Sequence, residues 1–346
     1  MKIIIDAMSG DNAPAEIVKG AVQAQQEFGV ALELVGRPEA VRACLRESGA
    51  EESAEIQIVP ATEIIDMHDD PSTAVRRKKD SSMAVALDLL RRGEGDAVIS
   101  AGNTGALLSG ATLVVKRIRG IRRASMAPVL PNGGAGTVLI DCGANVECTP
   151  EYLLQFAYMG SLYAQNILGV PSPRVGLLNN GSEDTKGTEL CKAAYALMNA
   201  AGQAGRIHFI GNVEGTDIFS GLADVIVTDG FTGNVLLKTI EGTVKFMMHT
   251  LKNVFTGSPK SKLGAVLLHK DLRGMKRMLD VKEVGGTAFL GIQKPVLKAH
   301  GSSDARAIRS AVRQAIAYIN ADVIGAIESN IAYMRLDEAV EGKERT

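Results

Sequence analysis

The feature that most constrains the fold of this chain is a repeated pattern: a short apolar run, a polar Gly-rich turn and then a helical segment. The apolar runs include IIID, LELVG, DAVIS, TVLID, RVGLL and ADVIV, and they alternate with segments such as AEIVKGAVQAQQEF and PEYLLQFAYMGSLYAQNIL. Short buried strands that alternate with helices of about 10–20 residues build a parallel sheet covered on both faces. The pattern therefore predicts an α/β fold with a mainly parallel sheet between helices.

One segment departs from this pattern. PVLPNGGAGTVLID (128–141) holds two strand-like runs joined through Asn132, Gly133 and Gly134, which is typical of a hairpin turn. A hairpin within an otherwise parallel sheet indicates two lobes with a central cleft. The length of 346 residues suits one large α/β domain or two fused halves. No Ser/Gly/Pro-rich linker separates two halves, so we expect residues 1–346 to form a single α/β unit.

Composition excludes several classes of function. The net charge of −1 and the 4% aromatic content do not favour nucleic-acid binding, which uses basic fields and aromatic stacking surfaces. The four cysteines form no CxxC and the five histidines form no HExxH, so we expect a cytoplasmic protein without a bound metal. Neither a leader peptide nor a membrane span of roughly 20 apolar residues is expected.

Polar turns follow most of the apolar runs. They read DAMSGD (6–11), SAGNTGA (100–106), DCGAN (141–145), NNGSEDTKG (179–187), GNVEG (211–215) and DGFTGN (229–234). In open α/β sheets, ligands bind outside the carboxyl ends of the strands, and such turns direct backbone N–H groups at an anion. No turn matches GxGxxG or the phosphate-binding loop GxxxxGK followed by Ser or Thr. The set predicts a phosphate-like ligand outside both of those nucleotide-binding classes.

A further polar segment, MHDDPSTAVRRKKDSSM (67–83), contains four consecutive basic residues and two serines that open a helix. Its first interpretation is a solvated basic face with a serine helix cap. Its second is an anion-binding loop, in which His68 and Ser82 are candidate substrate contacts. The residue types leave both interpretations open.

The turns also resemble a known family. DAMSGDNAP is similar to the DAMGGD-x-AP opening of the PlsX family, the acyl-ACP:phosphate acyltransferases of bacterial phospholipid synthesis. SAGNTGA, DCGAN, NNGSEDTKG, GNVEG, DGFTGNVLLK and GGTAFLG followed by HGSS resemble that family's blocks in order, from about residue 2 to about residue 324. One departure is Ser9, where the family usually has Gly. The Cβ of Ser9 restricts the backbone dihedral angles that this position can adopt.

The resemblance implies a reaction: the acyl group of an acyl-ACP thioester is transferred to inorganic phosphate, which gives an acyl phosphate and free acyl carrier protein. It also implies a fold like that of the isocitrate and isopropylmalate dehydrogenases and phosphotransacetylase, a homodimer, and no cofactor. The product would supply a membrane-bound glycerol-3-phosphate acyltransferase.

This chemistry suits the residues of the turns. A thiol is a tolerable leaving group, so the site must chiefly hold a phosphate beside a carbonyl and stabilise the oxyanion. Lys186 is the first candidate for that role, with a surface lysine as the alternative. Asn180 and Asn234 are candidate catalytic amides, and turn formation or capping is the alternative for each.

Further candidates contact phosphate or substrate. Asn103 and Thr104 belong to the second turn, Asp6 and Gly10 to the first, and Asp229 to the last. The acids Asp6, Asp141 and Asp229 could instead orient donors or cap helices, and helix capping is the interpretation we favour. Cys142 could carry an acyl group covalently, although a small buried Cys at a strand end fits it better.

Residues 245–279 contain eight Lys or Arg and a single acid, Asp271. Apolar residues cluster around the break at Gly257, Ser258 and Pro259. The segment is predicted to be a basic amphipathic helical hairpin that contacts an anionic membrane or the acidic acyl carrier protein, with a dimer interface or ordinary packing as the alternative. We therefore expect a cytoplasmic protein associated peripherally with the inner face of the cell membrane.

Three rival functions remain. One is a phosphotransacylase that uses acyl-CoA, because both donors are thioesters. Another is an NAD-dependent decarboxylating dehydrogenase, which needs clustered acids around a divalent metal, whereas the DGFTGN turn offers only Asp229. The last is a non-catalytic scaffold for the carrier protein or the membrane.

Overall fold

The structure, a computed structural model, describes residues 1–278 and 285–334. Two sheets form the centres of two lobes. The strands are β1 (Lys2–Asp6), β2 (Ala31–Gly36), β3 (Ile56–Pro60), β4 (Ala97–Ser100), β5 (Ser125–Met126), β6 (Val129–Leu130), β7 (Thr137–Ile140), β8 (Arg174–Leu178), β9 (His208–Val213), β10 (Val225–Val227), β11 (Gly286–Leu290) and β12 (Val296–Ala299).

Helices connect and cover these strands. They are α1 (Ala15–Phe28), α2 (Pro38–Glu47), α3 (Ala74–Arg77), α4 (Ser82–Arg92), α5 (Thr104–Gly110), α6 (Pro150–Ile167), α7 (Glu189–Gln203), α8 (Gly230–Thr256), α9 (Pro259–Leu267), α10 (His269–Met278), α11 (Ala305–Asn320), α12 (Val323–Ser329) and α13 (Ile331–Met334). None of the helices in the described ranges combines the length and the apolar composition needed to cross a membrane.

The first lobe contains a seven-stranded sheet in the order β3-β2-β1-β4-β12-β11-β5. The strands from β3 to β12 are parallel, whereas β11 pairs antiparallel with β12 and with β5. The second lobe contains five strands in the order β6-β7-β10-β8-β9. Here β7, β10, β8 and β9 are parallel and β6 is antiparallel. The predicted α/β fold with mainly parallel sheets is confirmed.

Strand β1 shows why its apolar run is uninterrupted. Ile3 and Ile5 pack into one hydrophobic cluster with α1, while Ile4 packs into the cluster on the other face with α4. All three side chains are buried. Burial of one such side chain contributes about 1.5–3 kcal/mol. A strand covered by helices on both faces has no solvent face, so it shows no polar alternation.

The predicted hairpin is present. Val129 of β6 pairs antiparallel with Val138 of β7. The side-chain oxygen Oδ1 of Asn132 accepts hydrogen bonds from Gly134 N–H at 2.9 Å and Gly136 N–H at 3.0 Å, which closes the turn. Only two residues separate β5 of the first sheet from β6 of the second. The hairpin therefore lies at the junction of the lobes.

The basic segment forms the end of α8 together with α9 and α10. Helix α8 ends at the expected break, where the Ser258 hydroxyl accepts a hydrogen bond from Ser261 N–H and Pro259 opens α9. A second interruption at Leu268 separates α9 from α10, so the segment comprises more helices than a simple hairpin. Position 279 of the predicted segment lies outside the described residues.

Candidate functional site

The first polar turn joins β1 to α1. Asp6 is fully buried, and its carboxylate accepts hydrogen bonds from Ser100 Oγ at 2.7 Å and Met8 N–H at 3.3 Å. Asp6 therefore orients donors of two neighbouring strand ends and does not cap a helix, so the capping role favoured for it is wrong. Gly10 has φ +112°, and a Cβ there would lie 2.9 Å from Ala101 Cβ. Only glycine fits this close approach between the two turns.

Ser9 does not cap the following helix. The N-cap position of α1 is Pro14, and no side chain accepts a hydrogen bond there. The Ser9 side chain is instead 2% exposed and packs beside Gly102. Its hydroxyl has no hydrogen-bond partner among the described residues. The residue that departs from the family pattern thus places a buried, unsatisfied hydroxyl next to the second turn.

Asn103 fixes the second turn. Its side-chain oxygen accepts a hydrogen bond from Ala106 N–H at 3.1 Å, so it caps α5, while Nδ2 donates to the carbonyls of Asp66 at 3.3 Å and Asp69 at 3.5 Å. Thr104 is the first residue of α5 and is half-buried. The capping interpretation of Asn103 is confirmed. The same side chain ties this turn to the loop that contains His68, whose side chain is exposed.

The basic stretch before α4 is only partly available to an anion. The Lys78 ammonium pairs with Asp69 at 2.5 Å and donates to the Ile64 carbonyl at 2.9 Å. Hydrogen bonding to Lys78 lowers the pKa of Asp69, and the same bond raises the pKa of Lys78. Ser81, rather than Ser82, caps α4 by accepting a hydrogen bond from Ala84 N–H at 3.3 Å. Ser82 is fully buried, and its hydroxyl is unsatisfied within the described residues.

In the second lobe, Asp141 follows β7. Its Oδ1 accepts hydrogen bonds from Met126 N–H at 2.9 Å and Cys142 N–H at 2.7 Å. Its Oδ2 accepts from Asn145 N–H at 2.7 Å and Asn145 Nδ2 at 3.0 Å. Burial raises the pKa of Asp141 to about 6 despite these donors. Because Met126 belongs to β5, this carboxylate links the turn of one lobe to a strand of the other.

Asp229 caps α8. Its carboxylate accepts hydrogen bonds from Thr232 N–H at 2.8 Å and Thr232 Oγ1 at 2.7 Å, which is the capping role favoured for it. The exposed Asn234 side chain lies over Gly143, where an added Cβ would be 3.4 Å from Asn234 Oδ1. The turns after β7 and β10 therefore contact each other.

The turn that carries Lys186 follows β8. Asn179 Nδ2 donates to the Lys186 carbonyl at 3.1 Å, Asn179 Oδ1 accepts from Asn180 N–H at 2.9 Å, and Asn212 Nδ2 donates to the Glu183 carbonyl at 2.7 Å. The side chains of Lys186 and Asn180 are exposed. Since β8 and β10 are parallel neighbours, this turn emerges beside the Asp229 turn. The backbone is fixed by amides while the lysine is left free to reach a ligand.

Cys142 is a packing residue in this arrangement. It is fully buried, and its Sγ donates to the Gly233 carbonyl at 3.5 Å. Burial, followed by the negative charges of Asp141 and Glu241, raises the pKa of its thiol well above the usual value. A thiolate nucleophile is therefore disfavoured.

Sequence reasoning missed Lys298, a buried lysine of β12. Partial burial lowers the pKa of His300, and the positive charges of Lys238, Lys298 and Lys245 lower it further. The negative charge of Glu241 opposes that shift. His300 and Lys298 belong to the first lobe, whereas Lys238 and Lys245 lie on α8 of the second. The signal that could have revealed Lys298 is a lysine inside the strand-like run PVLKA.

The candidate residues fall into two groups. Those of the first lobe adjoin one another at the ends of β1 and β4, namely Asp6, Gly10, Asn103, Thr104 and, through neighbouring contacts, Ser82 and His68. Those of the second lobe adjoin at the ends of β8 and β10, namely Asn180, Lys186, Asp229 and Asn234. Across the described ranges, no group of three or more His, Cys, Asp or Glu is arranged to hold a metal ion. The arrangement presents amides, hydroxyls and ammonium groups, which suit an anion.

Comparison with known proteins shows which family the chain belongs to. The model of the fatty acid synthesis protein family matches residues 1–326. A phosphate acyltransferase of Geobacillus thermodenitrificans is 48% identical over 333 residues, which cover 96% of this chain and 99% of that protein. The chain belongs to this family. It is an acyltransferase, as the resemblance of its turns implied.

Solved structures agree with the fold. A phosphotransacetylase from Streptococcus pyogenes is similar with a TM-score of 0.60 and 18% identity, over 94% of each chain. A 4-hydroxythreonine-4-phosphate dehydrogenase from Klebsiella pneumoniae is similar with a TM-score of 0.53 and 12% identity, over 92% of this chain and 99% of the other. The phosphotransacetylase-like fold implied by the family resemblance is thereby confirmed.

Proposed function

We propose that this phosphate acyltransferase moves a fatty acyl group from acyl-ACP, the thioester of acyl carrier protein, to inorganic phosphate. The acyl phosphate then serves phosphatidic acid synthesis, in which a membrane-bound glycerol-3-phosphate acyltransferase consumes it. The observation that carries the proposal is the set of strand-end turns, in which amide side chains fix the backbone and leave the Lys186 ammonium exposed. In an acyltransferase, an exposed ammonium among such turns suits an anionic acyl acceptor.

The chemistry requires no enzyme nucleophile. A phosphate oxygen attacks the thioester carbonyl, the C–O bond forms and the C–S bond breaks, and the sulfur leaves with the electron pair and takes the proton of the hydrogen phosphate. The site accelerates this step by holding both reactants and stabilising the oxyanion. Lys186, with Asn180 and Asn234, supplies that stabilisation from the second lobe. The first-lobe turns hold the phosphate.

The decisive assay measures free carrier-protein thiol released from acyl-ACP as a function of phosphate concentration. Phosphate-dependent release is expected, and its absence would refute the proposal in favour of a scaffold. Acyl-CoA in place of acyl-ACP tests the phosphotransacylase alternative, which would be supported by a larger kcat/KM for acyl-CoA.

The assay also tests Lys186. Lys186→Ala should lower kcat by ~100-fold or more, the usual effect of removing one oxyanion donor. Lys192→Ala is the matched control, because Lys192 is an exposed lysine six positions along that pairs with Glu189 at the surface. Equal turnover in the two variants would remove Lys186 from the catalytic group.

We also propose that the surface formed by α8, α9 and α10 binds an anionic membrane. Phe246 is 72% exposed and Leu267 is 76% exposed, and both lie in the segment that carries Lys260 and Lys262. Apolar side chains beside lysines are the composition of peripheral membrane helices. This position would bring the acyl phosphate close to its membrane-bound consumer.

Charge reversal tests this surface. The double variant Lys260→Glu with Lys262→Glu should lose binding to vesicles of phosphatidylglycerol and phosphatidylcholine, while Lys19→Glu, an exposed lysine of α1, should not. Unchanged vesicle binding would refute membrane association. Loss of acyl-ACP binding or of a dimer in sedimentation would instead assign the surface to the carrier protein or to a second copy.

A further inference from the structure

A buried lysine lies near the carboxyl end of β12, the strand beside the central strand β4 of the first lobe. Lys298 of β12 is 8% exposed and sits opposite Ser100 of β4. Its Nζ donates to the Ala101 carbonyl at 3.2 Å and also to the Ala299 carbonyl. An ammonium has three N–H donors, so the contacts given by the described residues leave one N–H for a further acceptor.

Within the described ranges, the Lys298 ammonium has no carboxylate at salt-bridge distance. The negative charge of Asp6, on β1, favours the charged form of Lys298. The carboxylate oxygens of Asp6, however, already accept hydrogen bonds from Met8 N–H and Ser100 Oγ. A buried charge is costly unless it is paired and hydrogen-bonded. A bound anion would supply the missing charge.

One unsatisfied hydroxyl, that of Ser9, lies beside the same turn, and another, that of Ser82, belongs to the start of helix α4, whose Met83 side chain contacts that turn. The Ala101 carbonyl that accepts from Lys298 precedes Gly102, and a Cβ on Gly102 would lie 3.0 Å from Ser9 Oγ and 2.8 Å from Met83 Cε. Ser82, which precedes Met83, is fully buried, and neither serine hydroxyl has a partner among the described residues. Buried polar groups without partners are rare in native proteins and indicate a missing ligand or water.

We propose that Lys298 is a catalytic residue that binds the attacking phosphate, together with the hydroxyls of Ser9 and Ser82. This inference rests on the function proposed above and names the groups that hold its acceptor. The free N–H of Lys298 donates to a phosphate oxygen that does not react, and the lysine keeps its protons throughout. Another phosphate oxygen remains free to attack the thioester carbonyl, while the phosphate proton goes to the departing sulfur.

The charges around Lys298 give this role a pH signature. Burial lowers the pKa of Lys298 to about 8, with Lys238 of α8 acting in the same direction and Asp6 and Asp11 opposing it. His300 follows on the same strand end, and its pKa lies below the usual value. Lys298 is therefore charged at neutral pH and loses its charge just above it, so phosphate binding should weaken above about pH 8.

The test compares Lys298→Met with Lys294→Met. Lys294 is a matched control because its Nζ also donates to a backbone carbonyl, that of Leu90 at 2.8 Å, away from the turns. Lys298→Met should raise the KM for phosphate by ~10–100-fold, the effect of losing a hydrogen bond to a charged group, and leave the KM for acyl-ACP unchanged. The alkaline decline of kcat/KM for phosphate should disappear in this variant and persist in Lys294→Met.

The outcomes separate this inference from the proposed function. Wild-type enzyme without phosphate-dependent thiol release would overturn the proposed function itself. A folded Lys298→Met variant with wild-type KM for phosphate and an unchanged alkaline decline would overturn only the role of Lys298. If Lys298→Met does not fold by circular dichroism, Lys298→Arg decides, because arginine keeps its charge and should move the decline above pH ~10. An unmoved decline in that variant would equally refute the role.

Discussion

Replacement of Asp141 by alanine should destabilise the protein far more than replacement of an ordinary helix cap. The Asp141 carboxylate is fully buried at the junction of the lobes and accepts four hydrogen bonds, from Met126, Cys142 and, twice, Asn145. Three of the donors are backbone N–H groups, which cannot turn away to find another acceptor. Alanine leaves Met126 N–H and Asn145 N–H without a partner, while Cys142 N–H keeps the Met126 carbonyl and Asn145 Nδ2 keeps the Ala124 carbonyl.

The magnitude follows from these contacts. A buried donor left without an acceptor costs about 1–3 kcal/mol, so the two such donors at the low end of the range give about 2 kcal/mol. Loss of the other two hydrogen bonds adds about 1 kcal/mol each, for a total of about 4 kcal/mol. The low end applies because Asn145 is only half-buried and because the substitution also removes the desolvation cost of the carboxylate. Asp141→Asn should cost roughly half as much, since one oxygen remains an acceptor for two of the donors.

Urea unfolding followed by far-ultraviolet circular dichroism measures this difference. Asp229→Ala is the control, because Asp229 is a half-buried helix cap whose loss should cost only about 1 kcal/mol. A free energy of unfolding for Asp141→Ala within 1 kcal/mol of that control would refute the idea that the buried donors depend on this carboxylate.

Other predictions concern the same strand ends. The folded-state pKa of Asp141 is raised to about 6, so the stability that this group contributes is complete below the unfolded pKa and is lost as pH rises through about 6. The destabilisation by Asp141→Asn in urea unfolding should accordingly be larger at pH ~5 than at pH ~7.5, by about 1 kcal/mol. Gly10→Ala should lower both phosphate-dependent turnover and stability, because its φ of +112° and the nearby Ala101 Cβ exclude a side chain, whereas Gly29→Ala, with no atom within 4 Å, should keep wild-type turnover. Cys142→Ala should retain turnover in the thiol-release assay, because the buried thiol of Cys142 has a raised pKa. Complete loss of activity in a folded variant would instead support a covalent acyl intermediate on Cys142.

Local features of the fold were predictable from the sequence. The strand-turn-helix pattern reflects burial on both sheet faces, and the Asn132–Gly134 turn reflects local backbone chemistry, so both can be recognised without tertiary information. The caps formed by Asn103 and Asp229 were foreseen for the same reason, because each bonds an N–H three residues ahead.

Long-range features could not be predicted in this way. Lys298 enters the site because β12 inserts beside β4, although nearly 200 residues separate Val98 from Val296. Asp141 gains one of its four donors from Met126 on another sheet. Neither of these two long-range pairings has a local sequence signal. The choice of Ser81 over Ser82 as the cap of α4 was equally open, because adjacent serines have the same local chemistry until burial distinguishes them.

The burial of the two principal lysines implies different tasks in one reaction. Lys298 is buried, so its charge acts through a medium of low dielectric constant and can hold a phosphate before the acyl donor arrives. Lys186 is exposed, and in water the attraction between its ammonium and a unit negative charge 4 Å away is only about 1 kcal/mol. It becomes effective once the acyl donor covers it and excludes water. Loss of Lys298 should therefore appear in the KM for phosphate, and loss of Lys186 in kcat, because each lysine is strongest at a different stage of the reaction.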